Sequence, residues 1–490
     1  MKAKFRVFAA FLLAAMVITC FAACGNTTPP ENGTTASVQK QGEVTEVDYD
    51  PHLPALDFAG DPFTVLYNGG SIEPNLDFVA DDENGEMLND AIYKRNLAIQ
   101  EKYSLEIKRV HCSDGDGDGK VRIANASGTE MYQMVEMTAN TSMAMAVKGY
   151  VYPYSELTNI DTSKPYWFST ALEGSSINGE NYFAYCDANI YSFAETPCTI
   201  FNKKVREDYR LDDIYTLVRN RDWTFAKMME MDKVVTNYGY DGNAEVSKDD
   251  MVGLIANSFC VDCFFSGTGY QMITKDQDDL PVLNIQDEQY LNILDAITDL
   301  CSEANGCFLC NRYGSGNEAL QYWTEQAITA NRALFWIGNF FCVERMRVTD
   351  CDYGVVPIPM LNKDQGDYKI HMQADNGGAI SVPICVLEPD AVSSVIEDIA
   401  FESYKSVMPV YMEVLIQGKS VRDNDSLECI KIIRNSYYCD LAFMTKTYGI
   451  DLLTRMRTIV EQGTPASSFV ASVANSYQLK LDTLRKQFAD

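Results

Sequence analysis

Two pairs of cysteines have the spacing of zinc ligands. Two residues separate Cys260 from Cys263, and two separate Cys307 from Cys310, and four thiolates from two such pairs can bind zinc tetrahedrally. However, 43 residues lie between the pairs, whereas a compact zinc ribbon has about 15 to 20. Apolar neighbours such as Phe264 favour buried thiols that fill space in a core. Zinc binding and disulfides remain the alternatives.

An acidic repeat of alternating Asp and Gly has part of the pattern of a calcium loop. Asp114, Asp116 and Asp118 stand at its first, third and fifth places, and Gly119 stands at the sixth. The twelfth place normally supplies a bidentate Glu but is Asn125 here, so a charge and an oxygen are missing. A strand, and no amphipathic helix, precedes the repeat. We therefore favour a solvated acidic loop and keep calcium as a weak candidate.

Catalysis that depends on histidine or on a resident metal has little support. The chain contains only His52, His111 and His371, and it has no Gly-x-Ser-x-Gly sequence. A glycoside hydrolase would need two carboxylates about 5 to 9 Å apart, and the 69 acidic residues offer many such pairs without singling one out. We expect no enzyme activity and no cofactor, with a surface glycoside hydrolase as an alternative.

The segments around these residues predict an α/β scaffold. A buried strand over residues 63–67 ends at Asn68-Gly69-Gly70, a helix follows with apolar residues on one face from Leu88 to Tyr103, and a second strand covers 105–110. This strand–helix–strand order begins a parallel sheet. The other predicted strands are 131–135, 181–185, 251–255, 333–337, 353–357 and 379–383. From Ala391 onward the chain is mostly helical, and Pro409 is expected to interrupt the helix.

The N-terminus has the pattern of an export signal. Lys2, Lys4 and Arg6 precede an apolar run over residues 8–23, which is short for a membrane span. The pattern Phe21-Ala22-Ala23-Cys24-Gly25 resembles the lipobox of bacterial lipoproteins, which implies cleavage after residue 23 and lipid on Cys24. An ordinary secreted protein is the alternative. Residues 24–58 are rich in Thr, Pro, Gly and acidic residues and predict a flexible tether.

Composition limits the partners of the folded body. Hydrophobic residues make up 46% of the 490 residues, and the net charge is −29, which describes a globular chain long enough for two or three domains. A charge of this sign repels nucleic acids and anionic lipid surfaces. Of the 15 cysteines, 13 remain when Cys20 and Cys24 are set aside, and an odd number cannot all pair within one chain.

Several local patterns in this order resemble family 1 extracellular solute-binding proteins, the lipoprotein sugar receptors of ATP-binding cassette (ABC) importers related to maltose-binding protein. Phe201-Asn-Lys-Lys204 followed by Asp222-Trp-Thr-Phe225 is similar to the family's Asn-Lys segment and Trp-Thr helix start. Residues 333–341 followed by 353–359 resemble the strand, glycine turn and proline-ended strand of its second lobe. Gly463-Thr-Pro-Ala-Ser467 resembles the turn that opens its last helix. The resemblance covers roughly residues 60 to 488.

The resemblance implies two α/β lobes of the class II periplasmic-binding-protein type, joined by crossing strands. Lobe one would contain residues 60–160 and 372–435, and lobe two would contain 161–371 and 436–490. It further implies a monomer on the outer face of the cytoplasmic membrane, anchored by lipid and extracellular, in a Gram-positive bacterium. Its function would be to capture a carbohydrate, with an oligosaccharide favoured, and to deliver it to the permease subunits of an ABC importer. A peptide-binding or adhesive lipoprotein is another alternative.

A sugar site needs flat aromatic rings together with polar groups that hydrogen-bond in pairs. Phe340 is similar in place to a stacking Trp of the family, and Trp336 is a candidate for a second ring. Phe265 and Tyr270 flank a Ser-Gly-Thr-Gly loop that would form the opposite edge of the cleft. The polar candidates are Asn68, Asp187, Asp375 and Asn376. Trp223 is instead expected to pack beneath a helix whose N-cap is Thr224.

Overall fold

The computed structural model describes residues 48–68, 78–243, 245–372, 374–416 and 423–489. The predicted signal peptide, Cys24 and most of the predicted tether lie outside these residues. Residues 49–490 form one compact unit. Its first segment has no helix or strand up to residue 61, but Leu56 and Phe58 already pack against the core. The last residues of the predicted tether, Leu56 and Phe58, thus contact the folded body.

Strands and helices alternate along most of the chain, which confirms the predicted α/β class. The strands are β1 Pro62–Tyr67, β2 Glu106–His111, β3 Met134–Met137, β4 Pro197–Asn202, β5 Val252–Ala256, β6 Ile273–Lys275, β7 Pro281–Leu283, β8 Cys307–Leu309, β9 Ala333–Asn339, β10 Tyr353–Val356, β11 Ile370–His371, β12 Ala379–Ser381 and β13 Tyr437–Tyr438. The helices are α1 Met87–Tyr103, α2 Asp114–Ser127, α3 Ala139–Val147, α4 Ser169–Ser175, α5 Ile190–Ala194, α6 Lys203–Asp208, α7 Ile214–Arg219, α8 Phe225–Val235, α9 Phe259–Gly267, α10 Glu288–Leu300, α11 Asn317–Thr329, α12 Phe340–Met346, α13 Pro389–Glu402, α14 Met408–Ile416, α15 Asn424–Arg434, α16 Leu452–Gln462 and α17 Ala466–Ala489.

The first sheet has the strand order β12-β3-β1-β2. Its strands β1, β2 and β3 are parallel, and β12 is antiparallel to β3. Because side chains alternate across a strand, Val65 belongs to the core that includes Ile99 of α1, whereas Leu66 belongs to the core that includes Val121 of α2. Helices thus cover both faces of this sheet.

The second sheet has the order β10-β4-β9-β5-β8. Strands β5, β8 and β9 are parallel, whereas β4 runs antiparallel to both β9 and β10. Its side chains form a separate and larger core with α8, α9 and α10. Helix α16 packs on α9 and α10, and α17 packs on α10 and β7. The C-terminal helices therefore cover the second sheet.

Two chain segments connect the sheets side by side. The first runs from the bridge of Ala184 with Ile380 to the start of β4, and the second leads from β11 into β12. Ser192 on the first segment and Gly378 on the second exchange two hydrogen bonds of 2.7 Å. A Cβ on Gly378 would lie 2.2 Å from Cγ of Glu136 on β3, so the close packing of the second segment against β3 requires glycine.

A long helix also passes from one core to the other. Val395 and Ile399 of α13 belong to the core of the first sheet, whereas Met408 and Tyr411 of α14 belong to the core of the second. A π-helical turn over Ser403–Val407 joins the two helices. The prediction that Pro409 interrupts this helix is wrong. A proline inside a helix lacks a donor and crowds the preceding turn, and the wider π turn stands directly before it.

Most predicted strands are confirmed, with two exceptions. The strands predicted at 63–67, 105–110, 251–255, 333–337, 353–357 and 379–383 overlap β1, β2, β5, β9, β10 and β12. Residues 131–135 overlap β3 by two residues, and 181–185 form only the isolated bridge at Ala184. Trp223 is fully buried, and the Thr224 side chain caps α8 by accepting from the Lys227 N–H, as predicted.

Candidate functional site

The first sheet places polar residues at the edge where its parallel strands end. Asn68 follows β1, and Thr138 follows β3. Because β12 runs antiparallel to β3, the residues before it, Asp375 and Asn376, come to the same edge. In open α/β sheets, ligands bind outside the carboxyl ends of the strands. The structure therefore brings three of the predicted polar residues, Asn68, Asp375 and Asn376, to one edge.

The second sheet has a corresponding polar edge. Asn257 follows β5, and Asn339 ends β9. Strand β4 runs in the opposite direction, with Pro197 paired to Asn339, so Glu195 reaches this edge from the start of β4. Neither Glu195 nor Asn257 was predicted as a site residue. Their positions beside strands could have identified them from the sequence. Glu195 lies before the Asn-Lys segment, and Asn257 lies after the strand predicted at 251–255.

Glu195 is a carboxylate with restricted access to water. The Asn339 Nδ2 donates a hydrogen bond of 2.8 Å to Glu195 Oε2. Burial raises the pKa of Glu195, although hydrogen bonds from Tyr191 and Asn339 oppose this effect. A half-buried carboxylate of this kind accepts hydrogen bonds from hydroxyl groups. Glu195 can therefore act as an acceptor for a polyhydroxylated ligand.

A direct contact joins α3 of the first sheet to the segment before β12. The side-chain amide of Asn140 donates a hydrogen bond to Oδ1 of Asp375, and the Asn140 N–H donates to the Ala374 carbonyl at 3.3 Å. Thr138 caps α3 through a hydrogen bond from the Thr141 N–H. The same helix contacts the turn at residues 441–444. Elements of both halves thus meet around Asp375.

A recess beside Asp375 is lined by α9, α16 and the segment after β11. Its walls include His371, Phe443, Leu453 and Arg457, and its two chambers have free volumes of about 20 and 10 Å³. A water molecule needs roughly 10 to 15 Å³ of such volume. The recess therefore accommodates single water molecules and has no room for a sugar ring in this conformation.

The charge balance of the recess is set by one ion pair. Arg457 Nε lies 3.1 and 3.0 Å from the two carboxylate oxygens of Asp262, and Arg457 Nη2 contacts Asp262 as well. Burial raises the pKa of Asp262, and Arg457 opposes this effect. Lys446 and Asp451 line the adjoining chamber. Both signs of charge, together with backbone groups, are available to a ligand here.

His371 is buried and uncharged at neutral pH. Its ring stacks on Phe443 with centroids 3.8 Å apart, and Nε2 lies 3.1 Å from the Asp440 carbonyl oxygen. Burial lowers the pKa of His371 to about 4. A general base works best with a pKa near the operating pH, so this histidine is better suited to packing than to proton transfer.

The predicted aromatic residues lie inside the core of the second sheet. Phe265, Trp336 and Phe340 are buried, and the Phe340 ring packs against Phe193 at 5.1 Å. Tyr270 is nearly buried and donates its hydroxyl to the Asn284 carbonyl at 2.7 Å. A sugar cannot stack on these rings in the conformation described, because neighbouring side chains cover them.

Two other aromatic residues are partly exposed at the second polar edge. Phe341 follows Phe340 in the first turn of α12, and Phe259 begins α9 just after Asn257. Successive helical residues point in directions about 100° apart. Phe340 therefore faces the core while Phe341 retains exposed surface, and Phe341 and Phe259 are the rings available to a ligand.

Asp187 lies away from both polar edges. Its carboxylate is fully buried and receives two hydrogen bonds of 2.8 and 2.6 Å from Arg434 Nη2. Burial raises the pKa of Asp187 to about 6 in spite of Arg434. The structure therefore groups Asp187 with α15 and not with Asn68, Asp375 and Asn376.

The acidic repeat forms a helix and not the predicted loop. Residues 114–127 are α2, whose N-cap is Ser113, and Lys148 forms an ion pair with Asp118. Ser113 Oγ donates to Asp116 at 2.8 Å. A helix separates Asp116 and Asp118 by about 200°, so the loop geometry of a calcium site is absent. Among the described residues, no group of three acidic, histidine or cysteine side chains is arranged to hold a metal ion.

The cysteines behave as buried thiols. All 13 cysteines of the described part of the chain are free, and Cys351 alone among them is not fully buried. Cys260 and Cys301 are in sulfur–sulfur contact at 3.7 Å, which is far longer than a disulfide. Burial raises the pKa of Cys263, which keeps it protonated. The thiols of Cys260, Cys263, Cys307 and Cys310 fill the core of the second sheet, as favoured from their apolar neighbours.

The described helices include none that is both long and apolar enough to cross a membrane. No protein-family model matches the chain, and no curated protein matches it. Solved structures do match, at low sequence identity and over most of both chains.

The sugar-binding protein MalE from Xanthomonas citri is 10% identical with a TM-score of 0.59, covering 88% of this chain and 99% of its own. An ABC substrate-binding protein from Listeria monocytogenes, solved with cycloalternan, is 12% identical with a TM-score of 0.54 over 88% and 99%. UgpB from Mycobacterium tuberculosis, solved with glycerophosphocholine, is 13% identical with a TM-score of 0.56 over 86% and 98%. The chain thus has the two-lobed, periplasmic-binding-protein-like α/β fold that these solute-binding proteins share.

Proposed function

We propose that this chain is a substrate-binding lipoprotein that captures an oligosaccharide between its two lobes and delivers it to the permease subunits of an ABC importer. The observation that carries the proposal is the pair of polar sheet edges on a two-lobed fold. The solved relatives with this fold include sugar-binding proteins of ABC importers. The chain performs no chemistry on the sugar.

The proposed site combines acceptors, donors and two rings. Glu195 and Asn339 on the second lobe and Asp375 beside the first bind hydroxyl groups, and Phe341 and Phe259 contact the apolar faces of the sugar. Asn68, Asn140, Asn257 and Asn376 complete the polar surface. The proposal omits Phe265, Tyr270, Trp336 and Phe340 from direct contact, because the core covers their rings.

The lobes are proposed to open by a hinge motion, which is the usual behaviour of this fold. We propose that the described conformation is a closed one, because the free volume of the recess is too small for a sugar. We assign α15 to the second lobe, because the Ser426 hydroxyl accepts from the Val355 N–H of β10 at 2.9 Å; the lobe boundary then lies near residue 408 and not at 435.

We further propose that lipid on Cys24 holds the protein at the outer face of the cytoplasmic membrane of a Gram-positive bacterium, as a monomer. Residues 1–23 are removed as the signal peptide. Labelling cells with a radioactive fatty acid tests the anchor, since Cys24→Ala abolishes incorporation if Cys24 is the site. A chain that still incorporates label after this change would carry its lipid elsewhere.

A glycan panel with two readouts tests the function. A receptor gains thermal stability with its ligand, by about 2.7 kcal/mol at a hundred times the dissociation constant, and the recovered sugar is unchanged. A glycoside hydrolase would shorten the sugar, which chromatography of the mixture detects. If no glycan stabilises the chain but peptides do, the binding proposal for saccharides is wrong.

A further inference from the structure

A cavity of about 440 Å³ lies on the side of the molecule that carries Asp187, apart from the recess beside Asp375. Its walls come from the π turn and α14, from α15, and from the segment that connects the two sheets. Pockets that bind small molecules have volumes of about 300 to 1,000 Å³. This cavity is therefore large enough for a small ligand, unlike the recess.

Apolar side chains form the longest wall. Met408 and Met412 of α14 and Leu427 of α15 line it. The Tyr404 ring stands at one end, where Tyr49 packs against it edge-on with centroids 6.2 Å apart. Methionine side chains adapt to irregular apolar ligands because they are unbranched and flexible. The wall thus fits a short hydrocarbon chain.

The charges around the cavity leave one cation available. Arg434 is neutralised by Asp187 and also donates to the Pro165 carbonyl at 3.1 Å. Glu413 also lines the cavity and is already engaged in an interaction of its own. Lys431 is exposed at the lining, and its ammonium forms no ion pair or hydrogen bond with another residue of the described segments. Lys431 is therefore the cation of the lining whose ammonium has no partner among the described residues.

We propose that this cavity binds an amphipathic carboxylate, such as a medium-chain fatty acid, with its carboxylate on Lys431 and its chain against Met408, Met412 and Leu427. The net charge of −29 opposes an anion at long range. At physiological salt, however, charges beyond about 8 Å are screened. The long-range repulsion therefore reaches the lining only weakly, and the ammonium of Lys431 attracts the carboxylate at short range.

The position of the cavity predicts an effect on lobe closure, and this part depends on the proposed function. Met408 and Met412 belong to the helix that runs from one core to the other, and Asp187 belongs to a connecting segment. A hinge motion changes the distances between these walls. A ligand that prefers one arrangement must alter the affinity for the saccharide, and the saccharide must alter the affinity for the ligand by the same factor.

Methyl NMR of the protein with labelled methionine tests the site. Octanoate is titrated as the probe, and Met408→Leu and Met412→Leu identify the two signals by their disappearance. We expect both signals to shift with a common dissociation constant of ~1 mM, which is typical for a ligand of this size. Lys431→Gln should weaken binding about threefold to fivefold, whereas Lys486→Gln on α17 should leave it unchanged.

Two results would overturn the site. One is an absence of shifts at Met408 and Met412 up to roughly twenty times the expected constant, and the other is a titration that Lys431→Gln does not alter. Leu427→Trp fills the cavity and should abolish the shifts while the remaining methionine spectrum shows a folded protein. If octanoate binds but leaves the saccharide affinity unchanged, the proposed coupling between the two ligands is wrong. If octanoate binds but no saccharide binds at all, the proposed function fails while the octanoate site stands.

Discussion

The side-chain amide of Asn140 donates a hydrogen bond to the carboxylate of Asp375, although 235 positions separate the two residues in the sequence. Asn140 lies in the first turn of a helix on the first sheet, and Asp375 lies on the segment that returns to that sheet from the second. The Asn140 N–H also reaches the Ala374 carbonyl. These contacts hold the returning segment against the first lobe at the polar edge.

Asn140→Asp should loosen the contact between the first lobe and the returning segment that carries Asp375. The change places a second carboxylate against Asp375, and like charges at an exposed site repel by up to about 1 kcal/mol. Because Asp375 belongs to the proposed site, we expect the saccharide dissociation constant to rise about threefold to fivefold in calorimetric titration. Asn220→Asp, at the exposed C-cap of α7 and with the same charge change, is the control. Equal affinities in the two variants would contradict this role of the contact.

Phe340 and Phe341 should separate stability from binding. Phe340 is fully buried against Phe193, so Phe340→Ala should lower the free energy of unfolding by about 3 to 5 kcal/mol. Phe341 is partly exposed, so Phe341→Ala should change stability by less than ~1 kcal/mol and weaken saccharide binding at least about fivefold. Urea denaturation and calorimetric titration measure the two effects. A normal affinity in Phe341→Ala would remove this ring from the site.

Asp440 should make stability depend on pH. It is buried and accepts hydrogen bonds from the N–H groups of Met272, Ile273 and Ala442, yet burial raises its pKa to about 7 from an ordinary value of 3.8. Between these values the unfolded chain ionises Asp440 while the folded chain keeps it protonated, so its contribution to stability falls as pH rises from 4 to 7.

Comparison with Asp440→Asn isolates this contribution. The stability advantage of the natural chain over Asp440→Asn should shrink from pH 4 to pH 7, by on the order of 3 kcal/mol, and then stay constant. Urea denaturation at several pH values measures it. The lowered pKa of His371 makes stability rise with pH, and it does so in both proteins. Its effect therefore cancels in the difference between them. An advantage that grows with pH would show that Asp440 is ionised in the folded state.

Arg434 should be required for stability because it compensates the charge of the buried Asp187 carboxylate. Asp187 is fully buried and has its ion pair with Arg434. Arg434→Met leaves that carboxylate without a cation, which costs about 3 to 5 kcal/mol. Without Arg434 the pKa of Asp187 rises further, so its carboxyl group is protonated and uncharged more often at pH 5. The loss of stability should therefore be smaller at pH 5 than at pH 8. Asp187→Asn combined with Arg434→Met should recover part of the loss, and denaturation of all three variants checks it.

Local pattern was sufficient for most elements of the fold. Short apolar segments predicted β1, β2, β5, β9, β10 and β12, and Trp223 with Thr224 predicted the buried start of α8. Such features depend on neighbours in sequence, so period and capping chemistry reveal them. The acidic repeat at residues 114–118 is one exception, beside the strand predicted at 181–185 and the interruption predicted at Pro409. Its resemblance to a calcium loop suggested irregular backbone, whereas the segment begins a helix that buries Val121 in the first core.

The polar edges and the ring orientations were decided only by tertiary structure. The sequence places Phe340 and Phe341 side by side, and nothing in their types says which one faces the core. Likewise, Glu195 and Asn339 become partners only when β4 pairs antiparallel with β9. The sequence by itself determined an α/β chain with an export signal pattern and buried thiols. Which side chains meet across 100 or more residues depends on strand order and lobe packing, because these contacts form only when distant segments bury their apolar faces together.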